Sequence, residues 1–317
     1  MNVLLANDSN LDADPTLTLL AWAGWQLEMP NDWRPLKLNG TPKKGWMMVG
    51  DAVCATFSVH WEKLGDNTVQ NGREWVDQRF KKLGLPTDAL PPAASQFTAC
   101  GWSHGVQTEE DKQTAYWYGY SEPGELLLGV KVNGVLPDDM LDQVLHQVLP
   151  SLRVSPADGE TVWSMHDVTL VSPPGFALSQ KHLFMGDVAL EFRRGKHERL
   201  MLRQVYPADL ALQRRPFERW LANYPFTEHR KLRKNSTTVE KWKAPKQEGL
   251  VGLKREGRKR LGFPLGLVAP RWTHALAVHD EKLDRLLIAE HIAGEDAGRT
   301  ICETAIASMN GPVRGGQ

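Results

Sequence analysis

The sequence has few cysteines and no long apolar run. Cys54, Cys100 and Cys302 are the only cysteines among 317 residues, an odd and sparse number that argues against a disulfide framework. No two of them have C-x-x-C spacing, which argues against a structural zinc site. No apolar segment approaches the roughly 18–20 residues that span a bilayer, and residues 1–15 lack the basic start and apolar core of a secretory signal. We therefore expect a cytoplasmic protein without a transmembrane segment.

Motifs of familiar enzyme sites are also missing. The chain contains no G-x-x-x-x-G-K-[ST], no G-x-G-x-x-G after a strand, no G-x-S-x-G and no H-E-x-x-H. Their absence argues against a P-loop, a dinucleotide site, a hydrolase elbow and a zinc-protease helix. We expect a non-enzymatic protein that needs no cofactor.

The formal net charge of zero conceals an asymmetry. Residues 1–155 carry 12 Lys+Arg and 19 Asp+Glu, whereas residues 156–317 carry 26 Lys+Arg and 19 Asp+Glu. The first half therefore has a net charge of −7 and the second half +7. This division predicts either two domains that dock through complementary surfaces or a basic half that faces an anionic partner.

A pattern of strands, turns and helices occurs twice in the chain. The first half begins with an alternating strand that ends in a Pro-containing turn and Trp33, and the second half repeats this design up to Phe176. Each copy then predicts a helix, a hairpin and a closing helix. The predicted helices span 71–83 and 138–154 in the first half and 216–223 and about 296–309 in the second.

Strands joined by hairpins and followed by helices favour antiparallel sheets covered by helices. We expect an α+β protein of two tandem domains, each an antiparallel sheet packed with helices. The domains are predicted at 1–155 and 156–317, and a basic insertion around 228–262 lengthens the second. The Pro-, Asp- and Gly-containing segment 155–161 is the predicted linker.

The recurring turns and helix ends resemble those of the PsbP-like fold. The matching segments are Met29-Pro-Asn-Asp-Trp33, Gly50-Asp51 and Leu149-Pro-Ser-Leu152, then Ser172-Pro-Pro-Gly-Phe176, Gly186-Asp187 and Ile306-Ala-Ser-Met309. This α/β/α sandwich is shared by an extrinsic photosystem protein, a Ran-binding nuclear-import factor and bacterial DcrB-like proteins. The resemblance implies a protein that binds other proteins or a ligand, and it carries over no catalytic residue.

The most unusual stretch is the basic segment, residues 230–260. It holds 12 Lys+Arg against three Glu, a net charge of +9. We identify nine of its residues as candidates for binding a partner or an anion: Arg230, Lys231, Arg233, Lys234, Lys254, Arg255, Arg258, Lys259 and Arg260.

Three interpretations of this segment remain open. An acidic protein partner is the leading functional hypothesis, which makes the chain an interaction or scaffold protein. Nucleic acid or another anionic ligand is the alternative, although Trp242 and Phe263 are the only aromatic residues in or beside the segment. The third interpretation is a solvated loop whose charge pairs with the acidic first half and which binds neither a protein partner nor an anionic ligand.

A second alternative is an enzyme or metal protein that uses Cys54, His60, Cys100 and His104. Mixed Cys and His sets are typical of metal ligands and of nucleophile–base pairs. Cys54 and His60 lie roughly 20 Å apart along one predicted strand, so the site requires residues from a neighbouring strand. Free cysteines and strand histidines are more often packed in a core than used as ligands, and we therefore expect no metal at these residues.

His274 and His279 are predicted on opposite faces of one strand, which argues against a shared ion there.

Overall fold

The computed structural model describes residues 17–63, 78, 81–82, 103–109, 112–121, 125–132, 138–165, 168–184, 186–223, 238–243, 251–259, 271–293 and 298–309. Strands dominate these residues. The strands are β1 (Leu17–Trp22), β2 (Trp25–Pro30), β3 (Arg34–Gly40), β4 (Lys44–Gly50), β5 (Ala55–Lys63), β6 (Ser103–Glu109), β7 (Lys112–Ser121), β8 (Leu126–Val132), β9 (Arg153–Val154), β10 (Thr161–Met165), β11 (Val168–Ser172), β12 (Ala177–Phe184), β13 (Asp187–Arg194), β14 (Glu198–Val205), β15 (Thr238–Lys243), β16 (Val251–Lys259), β17 (Arg271–Asp280) and β18 (Arg285–Ala293). The α-helices are α1 (Asp138–Gln143), α2 (Ala208–Leu212), α3 (Phe217–Asn223) and α4 (Gly298–Ser308).

Two large antiparallel sheets have the same strand order. The six-stranded sheet is ordered β3-β4-β5-β8-β7-β6. The seven-stranded sheet is ordered β12-β13-β14-β18-β17-β16-β15, which repeats that arrangement and adds β15 at one edge. In each sheet a three-stranded meander pairs with the last strand of a second meander.

A third sheet joins strands from both halves of the chain. Its order is β11-β10-β1-β2-β9, and Ala21 of β1 pairs with Ser164 of β10. The Ser164 hydroxyl donates a hydrogen bond to the carbonyl oxygen of Leu19 at 2.9 Å. The strands on either side of the predicted linker therefore belong to one sheet.

The main hydrophobic core extends through all three sheets. Trp163 of β10 packs edge-on against Trp22 of β1, with ring centroids 5.0 Å apart, and contacts Phe192 of the seven-stranded sheet at 5.4 Å. Trp25 of β2 contacts Trp61 of the six-stranded sheet at 6.1 Å. The five-stranded sheet thus packs against both large sheets, and these five aromatic side chains are buried between them.

The predicted α+β architecture of helix-packed sheets is wrong, because the described chain is mostly β. β2 and β11, which we expected to start the sheet of each copy, pair with β1 and β10 instead. The apolar faces of the large sheets are consequently covered in large part by another sheet. In the seven-stranded sheet α4 packs on β17 and β18, and α3 contacts β15 and β16 as well as apolar residues of β17 and β18. β18 is buried along its whole length.

Two local predictions also need correction. The helix predicted to continue to Val154 ends at Ser151, after a π-turn at 144–148 and a 3₁₀ turn at 149–151, and Arg153–Val154 forms β9. The strand predicted to carry both Cys54 and His60 begins only at Ala55, and Val53 before it is 91% exposed. The Asp51 carboxylate accepts hydrogen bonds from the backbone N–H groups of Val53 and Cys54, so these residues form a turn before β5 begins.

Candidate functional site

The structure describes four of the nine basic candidates. Lys254, Arg255, Arg258 and Lys259 lie in β16, the second strand from one edge of the seven-stranded sheet. The other five candidates, Arg230, Lys231, Arg233, Lys234 and Arg260, lie outside the described residues.

β15 and β16 form a basic hairpin arm, residues 238–243 and 251–259, at this edge. Lys254 pairs with Glu240, and Arg255 pairs with Val239 across the two strands. The arm carries six Lys+Arg against two Glu, a net charge of +4 in 15 strand residues. Lys241 has an 83% exposed side chain, and its Nζ lies 4.0 Å from a carboxylate oxygen of Glu218 in α3. An exposed ion pair of this length contributes little stability, so the Lys241 ammonium group can leave Glu218 for another acidic ligand at little cost.

The Cys/His candidates of the first half do not form one cluster among the described residues. Cys54 is partly buried in the turn before β5, and burial together with the Asp51 carboxylate raises the pKa of its thiol. A raised thiol pKa disfavours the thiolate that metal binding and nucleophilic attack require. Cys100 lies outside the described residues.

His60 and His104 lie on strands that are not neighbours. His60 is exposed on β5, and its Nε2 lies 3.1 Å from the Ser58 hydroxyl. His104 lies on β6, and β8 and β7 separate β6 from β5. Three interstrand steps of about 4.8 Å place the two backbones roughly 14 Å apart. This separation argues against a single site that contains both His60 and His104.

A buried histidine pair lies on the opposite half of the molecule. His274 of β17 pairs directly with His291 of β18, and their side chains are 3% and 0% exposed. His291 Nε2 lies 2.9 Å from a carboxylate oxygen of Glu198, which also accepts two hydrogen bonds from Arg194. Burial lowers the pKa of His291, although the Glu198 carboxylate opposes this shift. The imidazole therefore stays neutral at pH 7.

The buried pair is closed by the start of α4. A methyl group added at Gly298 would lie 2.5 Å from His274 Cδ2 and 2.5 Å from His291 Nδ1. The thiol of Cys302, one turn along α4, lies 3.6 Å from the His274 carbonyl oxygen. The backbone at the start of α4 therefore lies directly against both rings, which gives the pair a role in packing.

His279 belongs to a separate cluster at the end of the β17–β18 hairpin. One ligand-type atom each from Asp209, His279 and Asp284 lies within 4.8 Å of the other two. No local pattern in the sequence links the aspartates to His279, because Asp209 lies 70 residues before it and reaches it only through the packing of α2. His274 and His279 were predicted on opposite faces of one strand. In the structure His274 is buried and His279 is partly exposed.

Comparison with known proteins gives no functional assignment. No protein-family model and no curated protein sequence matches the chain, so the PsbP-like resemblance has no support from a family model. A solved structure from Bacteroides thetaiotaomicron VPI-5482 is similar at a TM-score of 0.32 and 12% identity, over 50% of this chain and 53% of that one. The match thus spans about half the length of each protein. Among the described residues, no helix is both long and apolar enough to cross a membrane.

Proposed function

We propose that the protein is a non-enzymatic interaction protein that binds an acidic protein partner through the basic hairpin arm. The observation that carries this proposal is the pairing of β15 with β16, which gathers six Lys+Arg at one edge of the seven-stranded sheet. A paired strand holds its residues at a fixed spacing of about 3.3 Å, whereas a solvated loop does not. Binding to the arm therefore loses less conformational entropy than binding to a flexible segment.

The position of β15 supports a protein ligand. Among the described strands β15 is at the edge of the seven-stranded sheet, and none of them pairs with the outer side of its backbone. An extended acidic segment can pair with such an edge while its carboxylates meet the lysines and arginines. Nucleic acid remains the alternative ligand, because the same charges can neutralise phosphates.

The test compares the wild-type protein with Lys254→Gln/Arg255→Gln/Arg258→Gln/Lys259→Gln. A matched control replaces four lysines of the six-stranded sheet and its β3–β4 turn, namely Lys37, Lys43, Lys44 and Lys131, by Gln. Binding to poly-L-glutamate and to a single-stranded oligonucleotide is measured by fluorescence anisotropy at low and high salt. Partners captured from native lysate are then identified for all three proteins.

The proposal predicts that the wild type and the control retain poly-L-glutamate and one acidic protein, and that the β16 variant loses both. Tighter binding to the oligonucleotide, with affinity falling steeply as salt rises, would favour nucleic acid instead. Equal retention of every ligand by the β16 variant and the wild type would refute both ligands of this surface.

A further inference from the structure

Three side chains with metal-ligating atoms meet where the β17–β18 turn contacts the start of α2. His279 lies near the end of β17, Asp284 ends the turn, and Asp209 is the second residue of α2. Their ligand atoms all lie within 4.8 Å of one another. We propose that Asp209, His279 and Asp284 form a binding site for a divalent transition-metal ion of the Zn²⁺ class.

Backbone contacts between the turn and α2 position the two aspartates. The Ala208 N–H donates to the Asp284 carbonyl oxygen at 2.6 Å, and the Asp209 N–H donates to Asp284 Oδ1 at 3.0 Å. The second hydrogen bond orients the Asp284 carboxylate and leaves its other oxygen for a ligand. Because Asp209 is exposed, its carboxylate can rotate toward the other two side chains.

The base of the turn is held by a buried ion pair. Arg285 Nε lies 3.0 Å from Asp280 Oδ2, and both side chains are largely buried. Asp280 Oδ1 also accepts a hydrogen bond from the backbone N–H of Leu283. The His279 ring lies beside the Phe217 ring, with centroids 5.9 Å apart. The imidazole and the turn that carries Asp284 are therefore positioned before any ligand binds.

The local charge favours a cation. Among the described residues, neither Asp209 nor Asp284 forms an ion pair with a lysine or arginine. The neighbouring Arg285 guanidinium already contacts Asp280 and Gln204. Two carboxylates in such proximity repel each other, and a divalent cation between them would offset that repulsion.

The donor set selects the class of ion. Ca²⁺ and Mg²⁺ prefer ligand sets made of oxygen alone, whereas imidazole nitrogen suits Zn²⁺ and its neighbours in the first transition row. Ligands about 2.0–2.1 Å from a tetrahedral zinc lie about 3.4 Å apart. Rotation of the exposed Asp209 side chain would shorten its distances to His279 and Asp284, which now lie within 4.8 Å. Three protein ligands leave a fourth position for water or for a ligand atom.

Metal binding is tested on the full-length protein after treatment with EDTA and its removal. Zn²⁺ is titrated in competition with a chromophoric chelator, and the titration is repeated with Ca²⁺. The proposal predicts that the wild type binds one equivalent of Zn²⁺. Asp209→Ala and His279→Gln should bind Zn²⁺ at least tenfold more weakly than the wild type. Asp209→Ala removes only an exposed side chain, so we expect this variant to fold.

The matched control is His182→Ala. The His182 Nε2 lies 3.5 Å from the Asp187 carboxylate, but Arg203 already forms two hydrogen bonds with that carboxylate. This variant should bind Zn²⁺ like the wild type. Zn²⁺ should also raise the urea midpoint of the wild type and of His182→Ala, but not that of His279→Gln, because only a bound ion stabilises the native state. Equal binding by the wild type, Asp209→Ala and His279→Gln would overturn the proposal, as would tighter binding of Ca²⁺ than of Zn²⁺.

Discussion

The contact between α4 and the buried histidine pair predicts that Gly298→Ala destabilises the protein. The new methyl carbon would lie 2.5 Å from His274 Cδ2 and from His291 Nδ1, whereas ordinary contacts are 3.4–4 Å. The rings or the helix must therefore move by about 1 Å. The two rings are almost completely buried, and a contact with Glu198 fixes His291 on its other side. Neither ring can swing into solvent.

The expected magnitude follows from two opposing effects. Overpacking of a well-packed core costs about 1–3 kcal/mol. Replacing glycine by alanine in a helix favours the folded state by at most about 1 kcal/mol, and less at the first helical residue, Gly298. Because the methyl group meets two rings at once, we expect overpacking to dominate and the free energy of unfolding to fall by about 1–2 kcal/mol.

The measurement is urea unfolding followed by tryptophan fluorescence, with Gly159→Ala as the control. A methyl group at Gly159 would lie no closer than 3.4 Å to its nearest neighbour, the Pro156 carbonyl oxygen. Gly159→Ala should leave the stability unchanged or raise it by about 0.4–1 kcal/mol, because alanine restricts the unfolded chain. Equal urea midpoints for the two variants would show that the helix and the rings are not in this contact.

Three further predictions concern the core and its charged groups. The pKa of His291 is lowered in the folded protein from its ordinary value of 6.5. The unfolded chain therefore binds more protons than the folded protein as the pH drops below about 6.5. The free energy of unfolding should fall with the pH in that range, by at most about 1.4 kcal/mol per pH unit. His291→Gln should flatten this dependence in urea unfolding between pH 7.5 and 5.5, assayed at about 25 °C, and an unchanged slope would contradict it. Trp163→Ala should destabilise by about 3–5 kcal/mol in the same assay, with a smaller loss for Trp163→Phe, and equal losses would exclude a size-dependent packing role. Arg285→Ala should cost about 3–5 kcal/mol because it leaves Asp280 buried without its partner, and recovery in Arg285→Ala/Asp280→Ala is the check.

Local elements were predictable because each depends on nearby residues. The helix predicted at 216–223 is α3 at Phe217–Asn223, and its end before Pro225 follows from the steric restriction that proline places on the preceding residue. The hairpin predicted before the closing helix of the second half also matches, since β17 and β18 pair around the turn at 281–284. Their apolar residues and the intervening polar turn specify that pairing without help from the rest of the chain.

The larger errors concern strand pairing, because a local pattern does not identify the strand with which a segment pairs. Alternation indicated that Trp25 and Leu27 of β2 point to one face, and both are buried. It did not indicate that β2 pairs with β1 in a sheet that also contains β10 and β11. The wrong α+β assignment followed from treating each half as a closed unit whose sheet only helices can cover.

Local patterns in the chain specify the strands of the closing hairpin, its turn, the basic character of the β15–β16 arm and the lack of familiar enzyme motifs. Three other features appear only in the folded molecule: the core shared by three sheets, the contact of His274 with His291 beneath Gly298, and the approach of Asp209 to His279 and Asp284. The two groups differ in the range of the interactions that produce them. Periodicity and turn chemistry act within about ten residues. The pairing of distant strands depends instead on which apolar faces and side chains fit together after the chain has folded.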